Sequence, residues 1–454
     1  MKDLADYAAR FEKLAHQLGM SYHAVDFELV PDRFMMETAV YGLPVRMPHW
    51  SFGVRYIHHL VQRNMGLSHI FEVMFPGDPC RAYLVDTNSL AENLLVVAHV
   101  LGHADFAHRN ALFRRSMSML GGRILEQAAA RAHGIETALL EHGQKRVEAV
   151  LDAALALEAH IDVNRALHRA AAPDASDAAS QIEEEHPFQM RWRDLPGERK
   201  PVAPEEGPPR ASPPPPEYDL LWFIAQHGPD LEGWERDIFL AVREESFYFY
   251  PVFACQIMNE GWASYWHARL LREADFMPND LYVSAIKAHS DVVRPHAAGR
   301  NLALSVNPYH LGFSMWEKLV ETRGLEAARR ICAEEDDFGF VRNHLDAKLA
   351  EELDLFVYEA EADGSIKVVS RDIHAVREAI LAPRFNFGAP RVAATGLELD
   401  GTLNLAHDHA SDGRGLDLDR AECVLDYVAR VWRRPVTLTT VDGRGARRLD
   451  ARPS

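Results

Sequence analysis

A chain of 454 residues is long enough for two or three domains rather than one. With 47% hydrophobic and 9% aromatic residues it can build a sizeable core, which excludes global disorder. A formal net charge of −18, from 49 basic and 67 acidic residues, argues against nonspecific binding to nucleic acid or anionic membrane, because phosphate contacts need a basic surface.

In chain order, residues 4–20 have the pattern of an amphipathic helix carrying acids, which is not the pattern of a signal peptide. "MPHWSFGVRYIHHLVQRN" (47–64) joins an aromatic turn to a short helix. "HIFEVMF" (69–75) and "RAYLVD" (81–86) are apolar runs separated by Pro76, Gly77 and Pro79, the pattern of two strands and a turn. "TNSLAENLLVVAHVLGHADFAHRN" then opens a helix. Asn88 or Ser89 can accept a bond from a free helix N–H, and Glu92 lies three residues after Ser89, as in a capping box. Helical patterning resumes over about 121–170.

Eight prolines fall within 201–216, and such a stretch cannot donate a regular hydrogen-bond ladder. Residues 172–217 are therefore expected to form a linker or an exposed insertion. From residue 218 the chain is helical again. Pro251 is expected to bend or interrupt the helix, which continues through "VFACQIMNEGWASYWHARLLREADF". Helices fill much of 278–353. The last hundred residues follow as strand, a turn at Asp363-Gly364, strand, helix, two strands, a helix at about 417–432 and a final hairpin. The fold class expected is α+β. A mostly helical N-terminal and central region with a zincin-like helix pair precedes a small C-terminal α+β domain. Its divisions are 1–171, the linker 172–217, a helical region 218–350 packed on the first, and 351–454.

The four cysteines, Cys80, Cys255, Cys332 and Cys423, form no C-x-x-C pair, which argues against a disulfide framework or a cysteine zinc knuckle. The most apolar stretch, "LLVVAHVLG", is about half the length a membrane span needs. Together these features point to a cytoplasmic setting.

The chemistry is concentrated in two segments. Each helical residue turns the chain by about 100°, so His99 and His103 differ by about 40° and stack on one face. Two neutral imidazoles placed so make a claw for zinc or iron. Among 23 histidines, though, a chance H-x-x-x-H pair is expected, and a hydrogen-bonded core pair is the plain alternative. The second segment, "MNEGWASYWH", sets Glu260 and His267 seven apart on one face, with small residues that allow close approach of another helix. Gluzincin peptidases draw two histidines from one helix and a glutamate from a downstream helix. Here Val100 stands where the H-E-x-x-H base belongs. His267, Glu245 and Tyr248 are the candidates for that catalytic role.

Three further uses of the same residues remain open. Two histidines and one carboxylate also form the facial triad of non-haem iron enzymes. Glu92, His99 and His103 facing Glu245, Glu260 and His267 could hold two metals, although the Glu-x-x-His pairs of di-iron bundles are missing. An inert, satisfied polar network is the third. Asp105 and His108 could orient a ligand or lie at a solvated helix end. The run Phe247–Tyr250 has the character of core packing, "MPHWSFG" that of a tight turn or pocket wall, and His310 of "NPYHLGF" that of a pocket residue. No P-loop, dinucleotide fingerprint or G-x-S-x-G elbow is present.

"MPHWSFGVRY", "DTNSLAENLLVVAHVLGHADF", "DLLWFI", "VREESFYFYP", "IMNEGWASYWH" and "NPYHLGF" together resemble the stage V sporulation protein R (SpoVR) family, as does the C-terminal "LDLDRAECVLDYVARVWRRPVTLTT". The resemblance implies a cytoplasmic bacterial protein linked to spore cortex formation or to stress responses. It also implies as partners a PrkA-type serine protein kinase and a von Willebrand factor A-like protein. It supplies no activity. On the residues, the leading expectation is a metalloprotein with His99, His103 and Glu260 as ligands, Zn2+ first and Fe2+ second. The rival is a noncatalytic scaffold acting with those partners.

Overall fold

The computed structural model describes residues 2–43, 49–64, 72–121, 123–168, 216–293, 307–360, 366–442 and 445–453. The proline-rich stretch falls almost wholly outside these residues. So do His69–Phe71 of the first apolar run, the Asp363-Gly364 turn, and Met47 and Pro48. The chain divides into two compact units, residues 1–159 with 232–390, and residues 160–231 with 391–454.

The first unit opens with α1 (Lys2–Gln17), β1 (Val25–Val30), α2 (Asp32–Tyr41) and α3 (Trp50–Asn64). The expected strand pair follows as β2 (Glu72–Phe75) and β3 (Cys80–Val85), paired antiparallel. β1 adds on the other side of β3, in parallel, so the sheet order is β1-β3-β2. The central helix α4 (Leu90–Arg109) begins at the predicted capping box. Ser89 Oγ accepts from Glu92 N–H, and the Glu92 carboxylate accepts from Ser89 N–H at 2.7 Å. Glu92 is thereby engaged in starting the helix. Ser89→Ala is expected to lower stability by about 1 kcal/mol, read as a shift in a urea unfolding curve; no shift would show that this cap is energetically idle.

α5 (Ala111–Leu120), α6 (Ile124–His142) and α7 (Gln144–Ala156) complete this segment. The chain then passes through α8 (Arg165–His168) and α9 (Leu220–His227) of the second unit and returns at Glu232. α10 (Gly233–Ala254) contains Pro251, but the interruption comes four residues later, at Cys255, after which α11 (Gln256–Glu273) begins. Proline removes the bond that the Phe247 carbonyl would accept, and Ser116 Oγ donates to that carbonyl instead, at 3.1 Å. A replaced bond lets the helix run through its proline. α12 (Asn279–Val292), α13 (Pro308–Arg323), α14 (Leu325–Glu334), α15 (Asp337–His344) and α16 (Ala347–Glu352) follow, then the antiparallel pair β4 (Val357–Ala360) and β5 (Ile366–Ser370) and α17 (Ile373–Leu381).

The main core of this unit surrounds α4, α11 and α13, with Trp262, Trp266, Trp316, Phe106 and Phe340 all fully buried. A smaller cluster of Val30, Met35, Phe75, Tyr83, Ile124 and Tyr248 holds the sheet against α10 and α6. Phe247 and Tyr248 are buried, as expected of core packing.

The second unit holds the strands β6 (Val392–Leu397) and β7 (Leu403–His407), the short helix α18 (His409–Asp412), α19 (Leu418–Trp432), and the strands β8 (Val436–Asp442) and β9 (Gly445–Ala451). The sheet order is β6-β7-β8-β9. The β7–β8 pair is parallel, bridged by α19, and the β8–β9 pair is the expected hairpin. The C-terminal strands and helices thus occur as expected. The pair β4–β5 and α17 group with the first unit, because α17 packs on α15 and α16 there. The protein is mostly helical with small sheets. No helix among the described residues is long and apolar enough to cross a membrane.

Candidate metal centre

Two glycine contacts set the distance between the helices that carry the site. A Cβ on Gly102 of α4 would stand 2.6 Å from Ala263 Cα of α11. One on Gly261 would stand 2.3 Å from the carbonyl carbon of Gly312 in α13. Backbone therefore meets backbone, as the small residues of "NEGWA" led one to expect.

At this spacing His99 and His103 of α4 meet Asn259, Glu260 and His267 of α11. The two Nε2 atoms are 3.0 Å apart. Glu260 Oε2 lies 3.6 Å from His99 Nε2 and 3.5 Å from His103 Nε2. His103 Nδ1 donates to Asn259 Oδ1 at 2.9 Å, an acceptor, so its Nε2 keeps the lone pair that faces Glu260. His99 Nδ1 meets His267 Nδ1 at 2.9 Å, and His267 Nε2 reaches His289 Nδ1 on α12. Each imidazole is thus held through the nitrogen turned away from the cluster, as metal-ligating histidines are oriented by a bond at their other nitrogen.

Glu260 Oε2 is buried and accepts no hydrogen bond. A buried carboxylate oxygen that accepts no hydrogen bond, beside the His103 Nε2 lone pair, is costly without a cation. Around a tetrahedral ion, ligand atoms stand about 3.3 Å apart, so the observed spacings fit one ion with little movement. His99, His103 and Glu260 are the one group of this kind among the described residues.

The surroundings separate the charges. Burial lowers the His103 pKa, with the neighbouring carboxylates working against it, and His267 is driven well below the usual histidine range by burial. His289 is lowered to about 4 by burial, with Arg272 and His99 adding to it. Burial would raise Glu260, but His103, the contacts with His99 and a hydrogen bond from Tyr309 outweigh it and hold the carboxyl below its ordinary value. Glu72, whose Oε1 is 3.8 Å from His99 Nε2, is raised to about 7 by burial, with the Glu260 charge adding to the effect and His103 opposing it. Tyr309 stacks on His99 with ring centres 6.1 Å apart, and the adjacent Glu260 charge, then burial, push its hydroxyl well up.

Of the residues proposed to work beside the ligands, only His267 is brought to the cluster. The Tyr248 hydroxyl donates to Pro76 O in the smaller apolar cluster, and Glu245 lies on α10 beside Arg131. Asp105 is fully buried rather than solvated. It accepts from Ser21 N–H at 2.7 Å, Arg109 Nε at 2.8 Å and Trp262 Nε1 at 2.9 Å, which ties α1's exit loop and α11 to α4. His108 packs edge-on against His23. His310 bonds Val293 O; the neighbouring Tyr309 is the residue of "NPYHLGF" that reaches the site. His49 joins the turn before α3 to α7 through Asp152, at 3.0 Å. Sequence reasoning missed Glu72, His289 and Tyr309. For Glu72 a signal existed, since it is the one ionisable residue in the otherwise apolar strand "EVMF".

A family model described as "SpoVR like protein" matches residues 1–388. Over 358 residues the chain is 30% identical to a protein of Escherichia coli (strain K12) named "Uncharacterized protein YcgB". That alignment covers 74% of this chain and 66% of the relative, so the chain spans just under two thirds of the relative's length. No solved structure matches the chain. Because the family match runs through α4, α11 and α13 alike, the helices that build the cluster, the chain belongs to the SpoVR family.

Proposed function

We propose that this protein is a metal-dependent hydrolase of gluzincin-like layout, in which His99, His103 and Glu260 hold one divalent cation, zinc first and iron second. The observation that carries the reading is the buried, unbonded Glu260 Oε2 turned toward the two Nε2 atoms. Bound there, the cation would supply Lewis acidity toward a water and a substrate carbonyl. The remaining roles belong to the chain. Asn259 Oδ1 fixes the His103 tautomer, His267 holds the His99 ring through Nδ1, the Tyr309 hydroxyl donates to the ligand carboxylate, and Trp262 and Trp266 wall α11 off from water. The same donor set suits a two-histidine, one-carboxylate iron centre, for which oxygen-dependent spectral changes would be the mark.

The test is metal analysis of protein purified without chelators or a histidine tag. About one equivalent per chain is expected, with loss in His99→Ala and in Glu260→Ala. Full retention in both variants would remove the site and leave the scaffold reading. Protons compete with metal for imidazole nitrogen. Since burial holds the His103 pKa below its ordinary value, its nitrogen stays free of protons further into acid. Metal should therefore be retained below pH ~6.5, the usual histidine midpoint; half-release above pH ~7 would contradict the assignment.

A further inference from the structure

We propose that Glu72, on strand β2, is the general base of this site, in the role that a glutamate next to His99 would fill in H-E-x-x-H peptidases. The inference rests on the metal-site reading above. Val100 occupies the usual position and is fully buried in the apolar core, so α4 itself carries no base. Strand alternation supplies one from the neighbouring element. Val73 and Phe75 pack into the smaller apolar cluster, so Glu72 and Met74 project from the opposite face, where Met74 packs against the main core around α4.

Glu72 Oε1 stands 3.8 Å from His99 Nε2. It is not among the three residues whose ligand atoms lie within 4.8 Å of one another. It therefore stands beside the ligand set rather than in it, as a base must. The Glu72–Leu84 pairing places it at the start of a strand anchored in the sheet, and β3 runs on to Val85, four residues before the cap of α4. A carboxylate on a sheet thus replaces one on the helix, and the helix position is released for core packing.

The step balances without any redox partner. One O–H bond of the attacking water breaks and its proton goes to a Glu72 carboxylate oxygen. The water oxygen forms the new bond to an acyl carbon of an amide or ester, and the proton then passes to the departing nitrogen or oxygen as that bond breaks.

The test uses Co2+-loaded full-length protein and acetohydroxamic acid, a neutral acid that docks at such cations as its anion and hands its hydroxyl proton to a nearby base. Binding is followed by the cobalt visible spectrum, and cobalt content is measured in parallel. Glu72→Gln is expected to keep the cobalt stoichiometry of the wild type but to bind the probe at least ~10-fold more weakly, the loss of one charge-assisted hydrogen bond. Glu72→Asp should recover part of that affinity. Loss of cobalt from folded Glu72→Gln and Glu72→Asp, with retention in the wild type, would make Glu72 a ligand and overturn the proposal. So would unchanged probe affinity in Glu72→Gln. Wild-type protein that holds no cobalt overturns the metal-site reading itself, and this proposal with it. If Glu72→Gln does not fold, as judged by circular dichroism, the Glu72→Asp comparison decides alone, with full wild-type affinity at the shorter side chain counting against the role.

Discussion

Gly261→Val is expected to abolish cooperative folding of the first unit, or to cost more than the ~1–3 kcal/mol of an ordinary overpacked site where folding persists. A side chain at this position would meet backbone, not a side chain that could swing aside. Its Cβ alone would lie 2.3 Å, 2.4 Å and 2.7 Å from the carbonyl carbon, Cα and oxygen of Gly312. The reverse contact is as tight, since a Cβ on Gly312 would lie 2.1 Å from Ile257 O. To admit the valine, α11 and α13 must move apart, which opens the packing among Trp262, Trp266 and Trp316. The same movement carries Glu260 away from His99 and Tyr309 away from Glu260, so metal content should fall together with stability. Urea unfolding and metal analysis check this. An unchanged midpoint would mean that these helices are not in backbone contact. Gly134, exposed in α6 with nothing within 4 Å of its added Cβ, is the control. Gly134→Ala should stabilise by about 0.5–1 kcal/mol, because only helix propensity changes there.

Asp105→Ala should cost about 3–5 kcal/mol. The carboxylate has no exposed surface and accepts from a backbone amide, an indole and a guanidinium. Removing it leaves the Trp262 N–H buried without an acceptor, breaks the bond from Ser21 N–H and leaves the Arg109 charge without its anion, though Arg109 still donates to Gly19 O. An unmet buried donor costs more than a formed bond contributes. Asp105→Asn should fall between wild type and alanine, since one oxygen remains to accept. Chemical denaturation reads the differences directly, and an alanine variant within about 1 kcal/mol of wild type would show that water fills the gap at little cost.

The legible parts of the site were those whose spacing lies within one helix. The His99–His103 pair follows from four residues on a 3.6-residue turn, and so does the choice of Glu260 and His267 as a second pair on one face. The capping box at Ser89 and Glu92 is equally local, and both of its bonds form. Pro251 was legible as a perturbation but not in its outcome. The carbonyl that Pro251 leaves without its helical partner is met by a hydroxyl from Ser116, 131 positions away. Asp105 invited a surface reading because it sits near a helix end, and the packing of α11 and of the loop after α1 against it is what the local sequence does not show.

Helix periodicity, end caps and the small residues of the helix pair were thus determined by the amino-acid sequence alone, because they depend on neighbours within about seven positions. Tertiary structure decided which residues meet across elements. Glu72 comes from a strand, Tyr309 from the start of α13 and His289 from α12, and no local rule relates them to α4. The physical reason is that side-chain convergence requires backbones to approach within contact distance, and at Gly102, Gly261 and Gly312 that approach is set by the shape of whole helices rather than by any local pattern.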